Sequence, residues 1–218
     1  MPTTEVISCA LVSGSKPGDP DNEAAKVLKE VGDTLSNQNG LQQAQFGMQI
    51  EKENMLQMFM DWDSIASHHA FEKTGAYKPF LQRFMTIVDG EPTICHVDFK
   101  PDGALPRALS APVTEVATFY FAGEAPKDYL EKATRFLANN EGEKVDGYLG
   151  GAVGTTYEEI EREGVKGKGA VLVIGWSSVE AHMKFRETST FKDNIQLLRQ
   201  GAQKISMNHV PFMTFIKD

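Results

Sequence analysis

Five histidines are the side chains of this sequence best suited to moving protons: His68, His69, His96, His182 and His209. An imidazole changes charge near neutral pH and can take the proton of a phenol or an activated C–H group. Ile65, His68 and Phe71 step by three, which sets His68 beside the apolar stripe of a helix. His69 follows directly. Each ring has a second reading, as a half-buried group tying its helix to a backbone carbonyl. On the strand expected over 94–99, alternation puts Ile94, His96 and Asp98 on one face, so Asp98 could orient His96. The second half has Pro211 in place of Asp98. Around these rings lie the parts of an apolar slot. Met55 and Met58 adapt to irregular shapes, Gln57 needs a polar partner when buried, and Trp62 and Tyr77 supply flat faces. The catalytic candidates are therefore His68 and His69. The substrate-binding candidates are Trp62, Tyr77, Gln57, Met55 and Met58, with a small apolar or aromatic ligand as the partner. The alternative is a core in which the same residues are filler.

Metal and cofactor signals are missing from the pattern. There is no HExxH or CxxC spacing, and Cys9 and Cys95 are the only cysteines. The segment Val12-Ser13-Gly14-Ser15-Lys16-Pro17-Gly18 after the first strand lacks the dinucleotide fingerprint. The expectation is a site with no metal, flavin or nicotinamide.

The elements that must position these residues occur twice. Thr4-Glu5-Val6 matches Thr114-Glu115-Val116, and Gly40 and Gly47 match Gly147 and Gly154. Trp62, Ser64, His68, Phe71, Thr74, Lys78 and Gln82 match Trp176, Ser178, His182, Phe185, Thr188, Lys192 and Gln196 at one constant offset. His96-Val97-Asp98-Phe99 matches His209-Val210-Pro211-Phe212. The boundaries read as a first module over 1–100, a proline-containing linker over 101–112 and a second module over 113–218. Each copy reads β-α-β-β-α-β. In the first, Asp19 is the expected helix cap, with Pro20 at the first helical position, and Ala24, Val27, Leu28, Val31 and Leu35 form the buried face. The extra residues of the second copy, near Tyr157 to Lys168, read as a longer hairpin loop.

The series Trp62, His68, Phe71, Tyr77, Phe80 and Leu81, repeated as Trp176, His182, Phe185, Phe191, Asn194 and Ile195, resembles the antibiotic biosynthesis monooxygenase-like pattern of the dimeric α/β-barrel superfamily. Its tandem form is similar to two-copy fungal proteins. The resemblance implies an α+β fold of two ferredoxin-like βαββαβ modules that together make an intramolecular pseudo-dimeric α/β barrel. It implies cofactor-independent oxygenation of a phenolic or polyketide-like substrate in secondary metabolism. The alternatives are a cyclase or isomerase acting on a similar substrate, and a non-catalytic ligand-binding or stress protein. Haem-degrading relatives carry Asn on the first strand, where this chain has Ser8 and Cys9 or Thr118 and Phe119. Cyclase relatives carry a His near the positions of Ala76 and Tyr77. The nearest equivalents of the monooxygenase residues are Trp62, Tyr77 and Arg83. The first copy holds Met48, Met55, Met58, Met60 and Met85 and the strand glutamines Gln43, Gln45 and Gln57, where the second has mostly aliphatic or small residues, so the site is expected there.

With 22 Lys and Arg against 30 Asp and Glu, the formal charge is −8 and no basic stripe exists to track phosphates, which argues against a nucleic-acid partner. No apolar run reaches membrane-spanning length, and the start lacks a leader pattern, so a cytoplasmic protein is expected. Modules of this type pair, so a homodimer of the whole chain is a further expectation.

Overall fold

The computed structural model describes residues 2–217, with side chains described through Thr214. The chain forms two compact units, one ending at His96 and resuming at Met213, the other running from Val97 to Phe212.

In the first unit, β1 (Thr3–Leu11) is followed by α1 (Glu23–Leu35), β2 (Leu41–Met48), β3 (Met55–Trp62), α2 (Ile65–Glu72), α3 (Tyr77–Met85) and β4 (Val88–Val97). The strand order β4-β1-β3-β2 is that of a ferredoxin-like module. β1 and β3 pair antiparallel with Glu5 opposite Met60 and Ile7 opposite Met58. Because side chains alternate along a strand, these four fall on one face. That face meets α1, whose buried residues Val27, Leu28, Val31 and Leu35 recur at helical spacing as the sequence predicts. The helix starts three residues later than expected. Asn22, not Asp19, is the cap, its side chain accepting from the Ala24 N–H at 3.0 Å. Asp19 is occupied instead by the Asp21 N–H at 3.1 Å.

A fifth strand, β9 (Met213–Lys217), comes from the far end of the sequence and pairs with β2, with Gln45 opposite Thr214. The Gln45 amide donates to the Thr214 hydroxyl at 3.1 Å.

The second unit repeats the plan: β5 (Val113–Tyr120), α5 (Tyr129–Gly142), β6 (Tyr148–Arg162), β7 (Val165–Trp176), α6 (Val179–Phe185), α7 (Ser189–Asn194), α8 (Gln196–Arg199) and β8 (Lys204–Val210). Its order is β8-β5-β7-β6. The outer edge of β6 is met by Val97 opposite Thr156 and Lys100 opposite Val153. This is the counterpart of the β9 pairing, as the match of 96–99 to 209–212 requires. Two sequence expectations change here. Residues 101–112 contain a short helix, α4 (Leu105–Leu109), with Leu105, Ala108 and Leu109 buried. The extra residues near 157–168 lengthen the β6 and β7 strands rather than a loop. Arg162 pairs with Val165 around a two-residue turn, with Glu163 at φ 50° and Gly164 at φ 80°. Two successive positive φ values match the right-handed twist of a hairpin, and Gly164 adopts one without steric cost.

Candidate active site

Ser64 caps α2, its hydroxyl accepting from the Ser67 N–H at 3.3 Å. That fixes the helix so that His68 and Phe71 turn inward while His69 and Glu72 turn out. His68 is 4 % exposed. Its Nε2 lies 3.3 Å from a Glu5 oxygen on β1, and its Nδ1 lies 2.8 Å from Nε2 of His96 on β4. Glu5 and His96 are buried too. Trp62, fully buried at the end of β3, packs its ring against His68 at 5.1 Å and Phe71 at 6.0 Å. The result is a buried carboxylate–imidazole–imidazole chain roofed by an indole. A buried charge or polar ring is tolerated only with partners, and each of these three groups has one.

The second unit builds the same chain. His182 Nε2 lies 3.4 Å from Glu115, and His182 Nδ1 lies 2.8 Å from His209 Nε2. Trp176 stacks on His182 at 5.0 Å and 10°. One bond differs. The Trp176 indole N–H donates to Glu115 at 3.0 Å, whereas the Trp62 N–H is buried with no acceptor. Burial pushes the Glu115 carboxyl above its ordinary range, against the Trp176 N–H and the charges of His209 and Arg186, which pull it down.

Both chains open on a cavity between sheet and helices. In the first unit Glu5, Ile7, Met58, Met60, His68 and Tyr77 stand among its walls, and its volume is about 40 Å³. In the second the walls include Glu115, Ala117, Leu172, Ile174, His182 and Arg186, and the volume is about 120 Å³. The Tyr77 hydroxyl holds its proton more tightly than usual, through burial and then the charges of Glu72 and Glu5.

The residues picked from the sequence are distributed as follows. His68, Tyr77 and Met58 reach the first cavity. Trp62 lies behind His68, outside the cavity lining. His69 is on the solvent side, its Nδ1 at 2.7 Å from Glu72. Gln57 is on the opposite face of β3 from Met58 and donates to the Ile7 carbonyl at 2.9 Å. Met55 is half-buried at the start of β3 and does not line the cavity. The geometry adds Glu5 and His96 to His68, and Asp98 accepts from the Tyr157 hydroxyl at 2.7 Å. Glu5 was legible as a charged residue kept in both copies inside a strand otherwise largely apolar.

Donor atoms of Glu5, His68 and His96 lie within 4.8 Å of one another, as do those of His68, His69 and Glu72. The first set is closed by a direct imidazole–imidazole hydrogen bond at 2.8 Å, which a metal ion would have to open. Cys9 is a buried thiol whose pKa is raised by desolvation to about 12, so it is no nucleophile at neutral pH.

No protein-family model matches the chain, and no curated protein matches it. Solved structures do. An anthrone oxidase-like protein aligns over 98% of this chain and 93% of its own at 14% identity, TM-score 0.70. A provisionally named monooxygenase from Fusobacterium nucleatum aligns over 98% of this chain and 93% of its own at 13% identity, TM-score 0.60. A provisionally named monooxygenase from Lactobacillus acidophilus aligns over 99% of this chain and 94% of its own at 9% identity, TM-score 0.58. No helix among the described residues is long and apolar enough to cross a membrane. The chain shares the two-module α+β fold of these solved structures.

Proposed function

We propose that the chain is a cofactor-independent oxygenase of a small phenolic or polyketide-like molecule, with the first-unit site as its reaction centre. The observation that carries this is a buried carboxylate–imidazole pair, Glu5 and His68, facing an apolar cavity. Of the two ring nitrogens of His68, Nδ1 is taken by His96 and Nε2 faces Glu5 and the cavity. His68 takes the substrate proton, Glu5 shares the resulting charge, and His96 holds the tautomer. The electron-rich anion reduces O₂ by one electron, the radical pair combines to a hydroperoxide, and loss of water leaves a carbonyl. One CH₂ and one O₂ become one C=O and one H₂O, so no outside reductant is needed. The protein supplies a base and a dry enclosure for the radical pair. Tyr77 would set the ring's position, and Trp62 supports His68 from behind. The proton held on His68 returns to the peroxide oxygen, and His69, outside the wall, would exchange it with solvent between turnovers. A cavity of about 40 Å³ is smaller than one ring, so substrate enters by displacing Met58 and Met60, whose unbranched side chains re-pack readily. Gln57 and Met55 would act by holding β3 in register.

The second reading is a non-catalytic ligand-binding protein. It is favoured by the duplication itself, since the same polar chain ties α6 to the sheet in the second unit. Oxygen uptake by the whole protein on a panel of anthrones and phenols separates the two. His68→Gln should lower turnover about 100-fold or more while keeping the fold, the usual scale for a lost general base. Turnover without oxygen consumption would point to a cyclase or isomerase. No turnover of any substrate, with His68→Gln changing only the melting temperature, would refute the enzyme reading.

A further inference from the structure

The second unit's cavity differs from the first in both size and charge, and the repeat identifies the substitutions responsible. At the constant offsets of the two copies, Ile7 becomes Ala117, Phe80 becomes Asn194 and Phe84 becomes Leu198. Ile7, Phe80 and Phe84 all line the first cavity, whereas Asn194 leaves the wall of the second and bonds to Asn139 at 2.7 Å. These losses of side-chain volume account for about 120 Å³ against about 40 Å³. A dry apolar cavity of roughly 150 Å³ holds benzene, so the second cavity is within a side-chain adjustment of one ring and the first is not.

The rim of the second cavity gains positive charge. Glu72, paired with His69 in the first unit, is replaced by Arg186, and Met85 by Arg199. Both arginines stand in the wall of the second cavity. Arg186 is half-buried and neither arginine makes an ion pair among the described residues. Their guanidinium groups are built to grip an oxyanion. The remaining walls, including Phe119, Phe136, Leu172 and Ile174, are apolar.

We propose that the second unit holds a binding site for a small organic anion, a single-ring carboxylate or phenolate, its ring in the cavity and its oxygens on Arg186 and Arg199. Burial pushes the Glu115 carboxyl toward its neutral form, which lessens its repulsion of the same oxygens. This site does not depend on catalysis in the first unit.

The test uses the full chain and two probes, 4-fluorobenzoate and fluorobenzene, followed by fluorine NMR titration. Wild-type protein should bind both. Arg186→Glu with Arg199→Met, which installs the first unit's residues, should weaken 4-fluorobenzoate at least about tenfold and leave fluorobenzene unchanged. Ala117→Ile, again the first unit's residue, should abolish both. If that core variant does not fold, the surface double variant still decides the matter. Absence of saturable 4-fluorobenzoate binding below about 10 mM, or affinity unaltered by the arginine replacements, would overturn the proposal.

Discussion

The two units have kept one polar core and diverged around it. Glu5, His68, His96 and Trp62 in the first have the counterparts Glu115, His182, His209 and Trp176 in the second, with the imidazole pairs at 2.8 Å in both. The cavity walls and rims have not been kept. Such a pattern separates two demands on a duplicated scaffold. The chain of buried polar groups is required wherever this helix meets this sheet, because leaving any one member unpaired costs desolvation without compensation. The cavity wall carries no such constraint, since one apolar shape replaces another at small cost. Chemistry specific to one unit is therefore to be sought in the wall and rim residues working on a common core.

The largest effects should come from breaking the shared core. His68→Ala and His182→Ala each remove one partner from a buried Glu and one from a buried His, so each should lose about 2–4 kcal/mol in urea unfolding. Comparable losses in the two units would support a common structural role. A loss below about 1 kcal/mol in one unit alone would show that its chain serves something other than the fold.

An intermediate effect tests the one bond that the cores do not share. Trp176→Phe removes the N–H donated to Glu115, whereas Trp62→Phe removes an N–H with no acceptor. The first should therefore cost about 1–3 kcal/mol more than the second, beyond the common loss of ring volume. Equal costs, read from the same unfolding curves, would show that the Trp176 bond contributes nothing net.

The repeat, the order of elements and the inward face of α1 were all legible in the sequence, because periodicity and self-similarity are local properties of the chain. The pairing of His68 with His96 was not. They are 28 residues apart, and alternation on the strand expected over 94–99 offered Asp98 as the nearer partner. Which face of β3 carries Gln57 was equally open, since β3 is buried on both faces and apolar alternation gives no phase. The register across β1 resolves it, by setting Met58 opposite Ile7 and Gln57 opposite Ser8. Nor could composition reveal that Arg186 stands where the first unit has Glu72. That contrast needs the alignment of the copies together with the cavity that Arg186 lines.

The smallest expected effect concerns the charge of Glu115. Its carboxyl is pushed above the ordinary value of 4.5 by burial, and the pull of the Trp176 N–H, His209 and Arg186 offsets part of that push. A carboxyl whose folded pKa exceeds its unfolded one binds a proton more tightly when folded. Its contribution to stability is therefore fully present below about pH 4.5 and is lost as pH rises through the folded value. Glu115→Gln carries no titrating proton at this position. Its stability relative to wild type should accordingly improve between pH 4 and pH 8, measured by urea unfolding at both ends. The glutamine amide can still accept from Trp176, so the bond compared above is retained and the pH term is isolated. A variant that instead loses ground as pH rises would mean that Glu115 is ionised in the folded protein and paired with a protonated His182. The second-unit rim would then present a carboxylate beside Arg186, and the preference for an anionic ligand would weaken with it.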